Sequence, residues 1–179
     1  MRNTKKLTLS AVTTALGVAF MMIGAVFEPL DLASACIASM LVVFVYIEIG
    51  SPYTWLVWLA TSLITALVYP ASGMWVMYLL LFGLYPMVKG YIERAPRTAW
   101  WPLKLVFYAV AATALGATLS FLLGIPLVEE ELLGISTEIL LGALMLIGAV
   151  AFVMYDIFIT AGVGMYYKKL RPKIKNILK

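Results

Sequence analysis

"LTLSAVTTALGVAFMMIGAVF", Leu7 to Phe27, runs for twenty-one residues without one charged side chain. A helix needs about 20 predominantly apolar residues to cross the hydrocarbon core of a bilayer. The stretch therefore predicts a transmembrane helix. It follows a basic start with Arg2, Lys5 and Lys6, as a secretory signal would. The apolar block of such a signal is only about 7–15 residues long, so this run reads as a retained helix.

The rest of the chain repeats the pattern. Of 179 residues, 64% are hydrophobic and 12% are charged, and the mean hydropathy is +1.01. Soluble domains carry roughly 25% charged residues. The composition predicts an all-α membrane protein, and nearly all of its length is taken up by crossings. Breaks at "EPLD" (Glu28 to Asp31), "GSP" (Gly50 to Pro52), "PASG" (Pro70 to Gly73), "KGYIERAPRTAWWP" (Lys89 to Pro102) and "GIPLVEEELLGIST" (Gly124 to Thr137) divide it into six runs. These runs predict helices over 7–27, 32–49, 52–69, 73–90, 103–123 and 138–167, a single transmembrane domain forming a compact bundle. Ser51 is placed to cap the third helix, with Pro52 at its first position, where a missing amide costs nothing. The runs are continuous apolar blocks, whereas barrel strands alternate.

Basic residues flank membrane spans on the cytoplasmic side. With six crossings and the N-terminus inside, all 13 Lys and Arg fall on the inner segments. The outer segments carry Glu28, Asp31, Glu129, Glu130, Glu131 and Glu138. Both termini are thus expected in the cytoplasm and the chain in the cell membrane, as a multi-pass protein. The tail "YYKKLRPKIKNILK", Tyr166 to Lys179, reads as an anchor that touches anionic lipid headgroups at roughly 1 kcal/mol per basic residue. No nucleic-acid partner is expected.

Four charges lie in or beside the spans: Glu48, Lys89, Lys104 and Asp156. Asp or Lys at the centre of a membrane helix costs on the order of 2.5–3.5 kcal/mol, so such groups pair or serve a function. We read the four as an inner charge cluster held by structural pairs of Glu48 or Asp156 with Lys89 or Lys104. The competing use is a proton or ion relay.

The outer half offers aromatics and hydroxyls near helix ends. Glu28, Asp31, Tyr69, Trp75, Tyr78 and Ser120 are the candidate substrate-binding residues, with Thr118 beside Ser120. Tyr and Trp also populate the interfacial belt of any membrane protein. Small-molecule sites share the same makeup, mostly apolar and aromatic with a few polar groups.

Enzymatic chemistry is poorly provided for. The chain has no His and one Cys, Cys36. That excludes an internal disulfide and a His-ligated haem, and leaves no basis for a zinc site. No Gly-rich phosphate loop is present, and no two Asp residues fall on predicted transmembrane helices. No cofactor and no catalytic residue are assigned. A process driven by ATP would need its ATPase on another chain.

One pattern remains. In "SAVTTALGVAF", Ser10 to Phe20, Ala11, Ala15 and Ala19 recur every fourth residue and stack into one smooth stripe on a helix. Small residues at this spacing let another helix approach closely. The approaching helix could belong to this chain or to another protein, and the spacing serves both. With "AVTTA" (Ala11 to Ala15) on its first helix, six helices in under 200 residues and a short basic start, the chain resembles the substrate-binding S-component of energy-coupling factor transporters. In that family an Ala-x-x-x-Ala motif on the first helix packs against a transmembrane coupling protein, and an ATPase pair drives release of a vitamin inside the cell. The resemblance implies those partners for Ala11, Ala15 and Ala19, and a vitamin-like small-molecule ligand. None of the signatures of the biotin, thiamin or riboflavin members is present. The other function class is a non-transporting, lipid-handling or envelope-associated membrane scaffold working through the inner charges. A channel is weaker, because no helix presents a polar stripe to a wet pore.

Overall fold

The computed structural model describes residues 3–124 and 137–174. No strand occurs among the described residues. Six helices are long and apolar enough to cross a bilayer, as a multi-pass membrane protein requires: α1 Asn3–Val26, α2 Asp31–Glu48, α3 Ser51–Val68, α4 Met74–Ile92, α5 Arg97–Leu122 and α6 Thr137–Met165. A wide turn over Tyr166–Leu170 extends α6 into Arg171–Ile174.

Short connections fold the helices back on one another. A single tight turn, Glu28–Leu30, joins α1 to α2. Gly50 joins α2 to α3 at φ +99°, the left-handed region that glycine enters without strain. Because Gly50 makes the turn, α3 begins one residue earlier than predicted. Ser51 is its first helical residue rather than its cap, and Pro52 still falls in the first turn. The largest shift is in α5, which starts at Arg97 instead of 103. Pro96 ends the preceding loop in extended conformation, and the residues after it wind into helix straight through Pro102. The extra turns carry Trp100 and Trp101 and bring Lys104 inside the bundle.

Helix α1 packs mainly on α2 and α3. Its buried face is Ser10, Thr13, Gly17, Met21 and Gly24. Lipid tails are as apolar as leucine, so close backbone approach drives helix association in membranes. Gly24 lies directly against Ser34 and Met74, and a Cβ added at Gly17 would sit 3.2 Å from Thr61. Ser10, Thr13, Thr54, Ser62 and Thr65 return their hydroxyls to backbone carbonyls one turn back. The polar character of this interface is thereby absorbed within each helix.

Helix α4 is broken at its middle. Over Tyr78–Phe82 it widens to a five-residue turn, and Gly83 N–H bonds back to the Tyr78 carbonyl at 2.7 Å. That deprives the Leu79 carbonyl of its usual donor, the Gly83 N–H, and the Trp58 indole N–H donates to it instead at 3.2 Å. Pro86, four residues after Phe82, has no N–H to offer, and the Tyr155 hydroxyl donates to the Phe82 carbonyl at 2.7 Å. Unpaired backbone groups cost several kcal/mol in hydrocarbon. Side chains from α3 and α6 thus complete α4. Tyr78, Tyr85, Phe152, Tyr155 and Ile159 form the core around the break.

Candidate functional site

Downstream of the break, Tyr85, Lys89 and Glu93 follow at four-residue intervals, which stacks them on one face. Lys104 comes from α5, and Asp156 and Thr160 from α6. The Lys104 ammonium lies 2.9 Å from each Asp156 carboxylate oxygen. The Lys89 ammonium donates to Asp156 Oδ1, to the Asp156 carbonyl at 3.1 Å and to Thr160 Oγ1 at 2.7 Å. The Tyr85 hydroxyl donates to Asp156 Oδ1 at 2.5 Å. One oxygen of Glu93 lies 3.3 Å from both ammonium groups. Lys89, Lys104 and Asp156 are 4–5% exposed, whereas the Glu93 side chain is 34% exposed. Trp100 and Trp101 stand beside Lys104, their ring centres 5.9 and 5.4 Å from its nitrogen.

Two ammonium groups thus face two carboxylates. A buried charge without a partner is expensive, and removing one member of a buried pair costs about 3–5 kcal/mol. Asp156 satisfies one positive charge from the inside. Glu93 satisfies the other from the edge.

The predicted inner cluster is therefore corrected in one member. Lys89, Lys104 and Asp156 come together, but Glu48 does not join them. Tyr46 and Ile47 of α2 border a cavity beside Lys89 and Glu93, but Glu48 accepts instead from the Tyr166 hydroxyl at 3.0 Å and from Arg171 Nε at 3.2 Å. Its place is taken by Glu93, which hydropathy assigns to a loop. Neither Glu93 nor Tyr85 is among the residues expected from the sequence; their four-residue spacing on either side of Lys89 is the signal that places them on its helix face. Beside the cluster, α2, α4 and α6 enclose this cavity of about 180 Å³, lined by Tyr46, Pro86, Lys89, Gly90, Glu93 and Tyr167 among others.

A second cavity, about 390 Å³, lies in the other half of the bundle between α4, α5 and α6. Its walls include Leu32, Met77, Phe82, Tyr108, Gly116, Leu119, Met145 and Phe152, and they are almost wholly apolar. The Tyr108 hydroxyl donates to the Met145 carbonyl at 2.9 Å. A cavity of this size and character falls in the range of small-molecule sites.

Asp31, Tyr69, Trp75, Tyr78 and Ser120, predicted to bind substrate, do not line this cavity. Tyr78 is fully buried in the core near Trp58 and Gly83. Trp75 donates its indole N–H to the Pro70 carbonyl at 3.1 Å and braces the α3–α4 turn. Tyr69 and Ser120 are exposed, and Asp31 is half-buried at the start of α2. The side chain of Glu28 lies outside the described residues, as does the acidic loop with Glu129, Glu130 and Glu131. Neighbours of three of these residues (Leu32, Met77 and Leu119) do form the wall. Among the described residues, no group of acids, Cys and His is arranged to hold a metal ion.

On α1, Ala11, Ala15 and Ala19 are all exposed. The helix packs through its opposite side, and the described residues leave the alanine stripe uncovered. Val12, Leu16 and Ile23 stand exposed beside it. No family model, curated protein or solved structure matches the chain.

Proposed function

We propose that this chain is a substrate-binding membrane subunit for uptake of a vitamin-like small molecule, of the S-component kind, powered by ATPases on other chains. The observation that carries the reading is the outward face of Ala11, Ala15 and Ala19. Small residues add nothing to a surface that meets only lipid, but they admit the backbone of a second helix. In this reading the stripe seats a transmembrane coupling protein. The ligand occupies the apolar cavity between α4, α5 and α6, and the basic end of the bundle faces the cytoplasm. The chain itself hydrolyses nothing.

The test has two arms. Ala11→Leu with Ala15→Leu should abolish co-purification of a membrane partner and its ATPase pair in mild detergent while leaving the unfolding midpoint unchanged. A panel of vitamin-like compounds should raise the midpoint of the native protein, and Gly116→Phe, which fills the cavity, should remove that response. If the alanine variant keeps its partners and no compound binds, the uptake reading fails.

A further inference from the structure

The charge cluster has a feature that structural pairing alone leaves unused. Lys89, Lys104 and Asp156 by themselves carry one excess positive charge in a site that is 4–5% exposed. The balancing anion, Glu93, is the only member of the four near the surface, and it holds both lysines through a single oxygen at 3.3 Å. These are long contacts beside the 2.9 Å bonds of Lys104 to Asp156. Glu93 is also the first residue after α4, at the start of the turn to α5, where its N–H closes the last helical turn on the Lys89 carbonyl at 2.9 Å. The cavity of about 180 Å³ opens directly onto Glu93 and Lys89. Further donors stand around it: the Tyr46 hydroxyl, with Arg94 Nη2 3.4 Å away, and Tyr167 in its wall.

We infer that Lys89 and Lys104 form an anion site for a phosphate group, and that Glu93 is its internal, exchangeable occupant. A phosphate entering through the cavity takes the place of the Glu93 carboxylate. It meets both ammonium groups and reaches Tyr46 and Arg94, which a carboxylate fixed to α4 leaves unused. Asp156, held by Tyr85 and both lysines, stays in place and keeps the lysines aimed. The phosphate can belong to a lipid headgroup or to a free phosphate compound. The site lies in the half of the bundle opposite the apolar cavity, so it stands independently of the uptake reading.

The variant Glu93→Gln removes the competing charge with little change of shape. Unfolding midpoints are measured in nonionic detergent against inorganic phosphate, with chloride at equal ionic strength as the control. They are measured again in phosphatidylcholine nanodiscs with and without phosphatidylglycerol. An internal occupant that fills the site about nine-tenths of the time weakens apparent affinity about tenfold. Glu93→Gln should therefore respond at about tenfold lower phosphate than the native protein, or respond to phosphatidylglycerol where the native protein responds less. The first result identifies free phosphate, and the second a lipid headgroup. If Glu93→Gln is unfolded without ligand, phosphate or phosphatidylglycerol should restore it. Adding Lys104→Met, which rebalances the charge, should abolish the response in either arm. Failure of both phosphate and phosphatidylglycerol to stabilise or restore Glu93→Gln beyond the chloride and phosphatidylcholine controls overturns the site.

Discussion

The Tyr85 ring stands edge-on to Phe152, with centroids 4.6 Å apart, while the Tyr85 hydroxyl donates to Asp156. Phe152 is at the same time a wall of the apolar cavity. One aromatic pair thus links the wall of the apolar cavity to the carboxylate at the centre of the charge cluster. Any occupant that displaces Phe152 presses on the residue that orients Asp156.

Tyr85→Phe keeps the ring contact and deletes the hydroxyl. A hydrogen bond to a charged group contributes about 1.5–3 kcal/mol, and the unfolding free energy in detergent should fall by about that amount. Phe152→Ala should cost more, about 3–5 kcal/mol. An unchanged stability for Tyr85→Phe would show that the carboxylate does not depend on this donor.

Charge balance predicts a rescue. Asp156→Asn leaves two buried ammonium groups facing Glu93 alone and should destabilise by about 3–5 kcal/mol. Adding Lys104→Met leaves Lys89 with Glu93, which lie 3.3 Å apart, and should recover a large part of the loss. Strict additivity of the two substitutions would mean that they do not interact.

The two faces of α1 should respond oppositely to the same change. Gly24→Leu drives a side chain into Ser34 and Met74. It should cost at least about 1–3 kcal/mol or prevent folding. Ala19→Leu, on the exposed face, should stay within about 0.5 kcal/mol of the native protein. Chemical unfolding of the purified proteins reads both.

Tyr155→Phe and Trp58→Phe each strand a backbone carbonyl of α4. Each should destabilise by about 1–3 kcal/mol, the cost of a buried group left without a partner. Hydrogen exchange at the amides near Tyr78–Phe82 should accelerate in both. Exchange that stays at native rates would show that the break needs no support.

The helices were legible because a bilayer demands long apolar blocks, and the chain supplies six of them. The start of α5 was not, since Arg97 and Thr98 are polar and hydropathy cannot tell an interfacial helical turn from a loop. The same blindness hid Glu93. The facing of α1 could not be read either. Ala11, Ala15 and Ala19 form one small-residue stripe, and small residues Ser10, Thr13, Gly17 and Gly24 recur at three- to seven-residue intervals along another face. Only packing decides which is inside. Tyr78 sits near a loop in sequence, yet the widened turn lodges it in the core, and no periodicity announces that turn.

The repair of α4 has a consequence for biogenesis. The Phe82 carbonyl waits for a hydroxyl that lies 73 residues further along the chain. During synthesis the fourth segment enters the lipid before its donor has left the ribosome. A nascent chain arrested ahead of Tyr155 lacks the donor for a carbonyl in the middle of α4. Insertion of the last segment supplies it, so the backbone of the fourth helix is complete only after the sixth has docked.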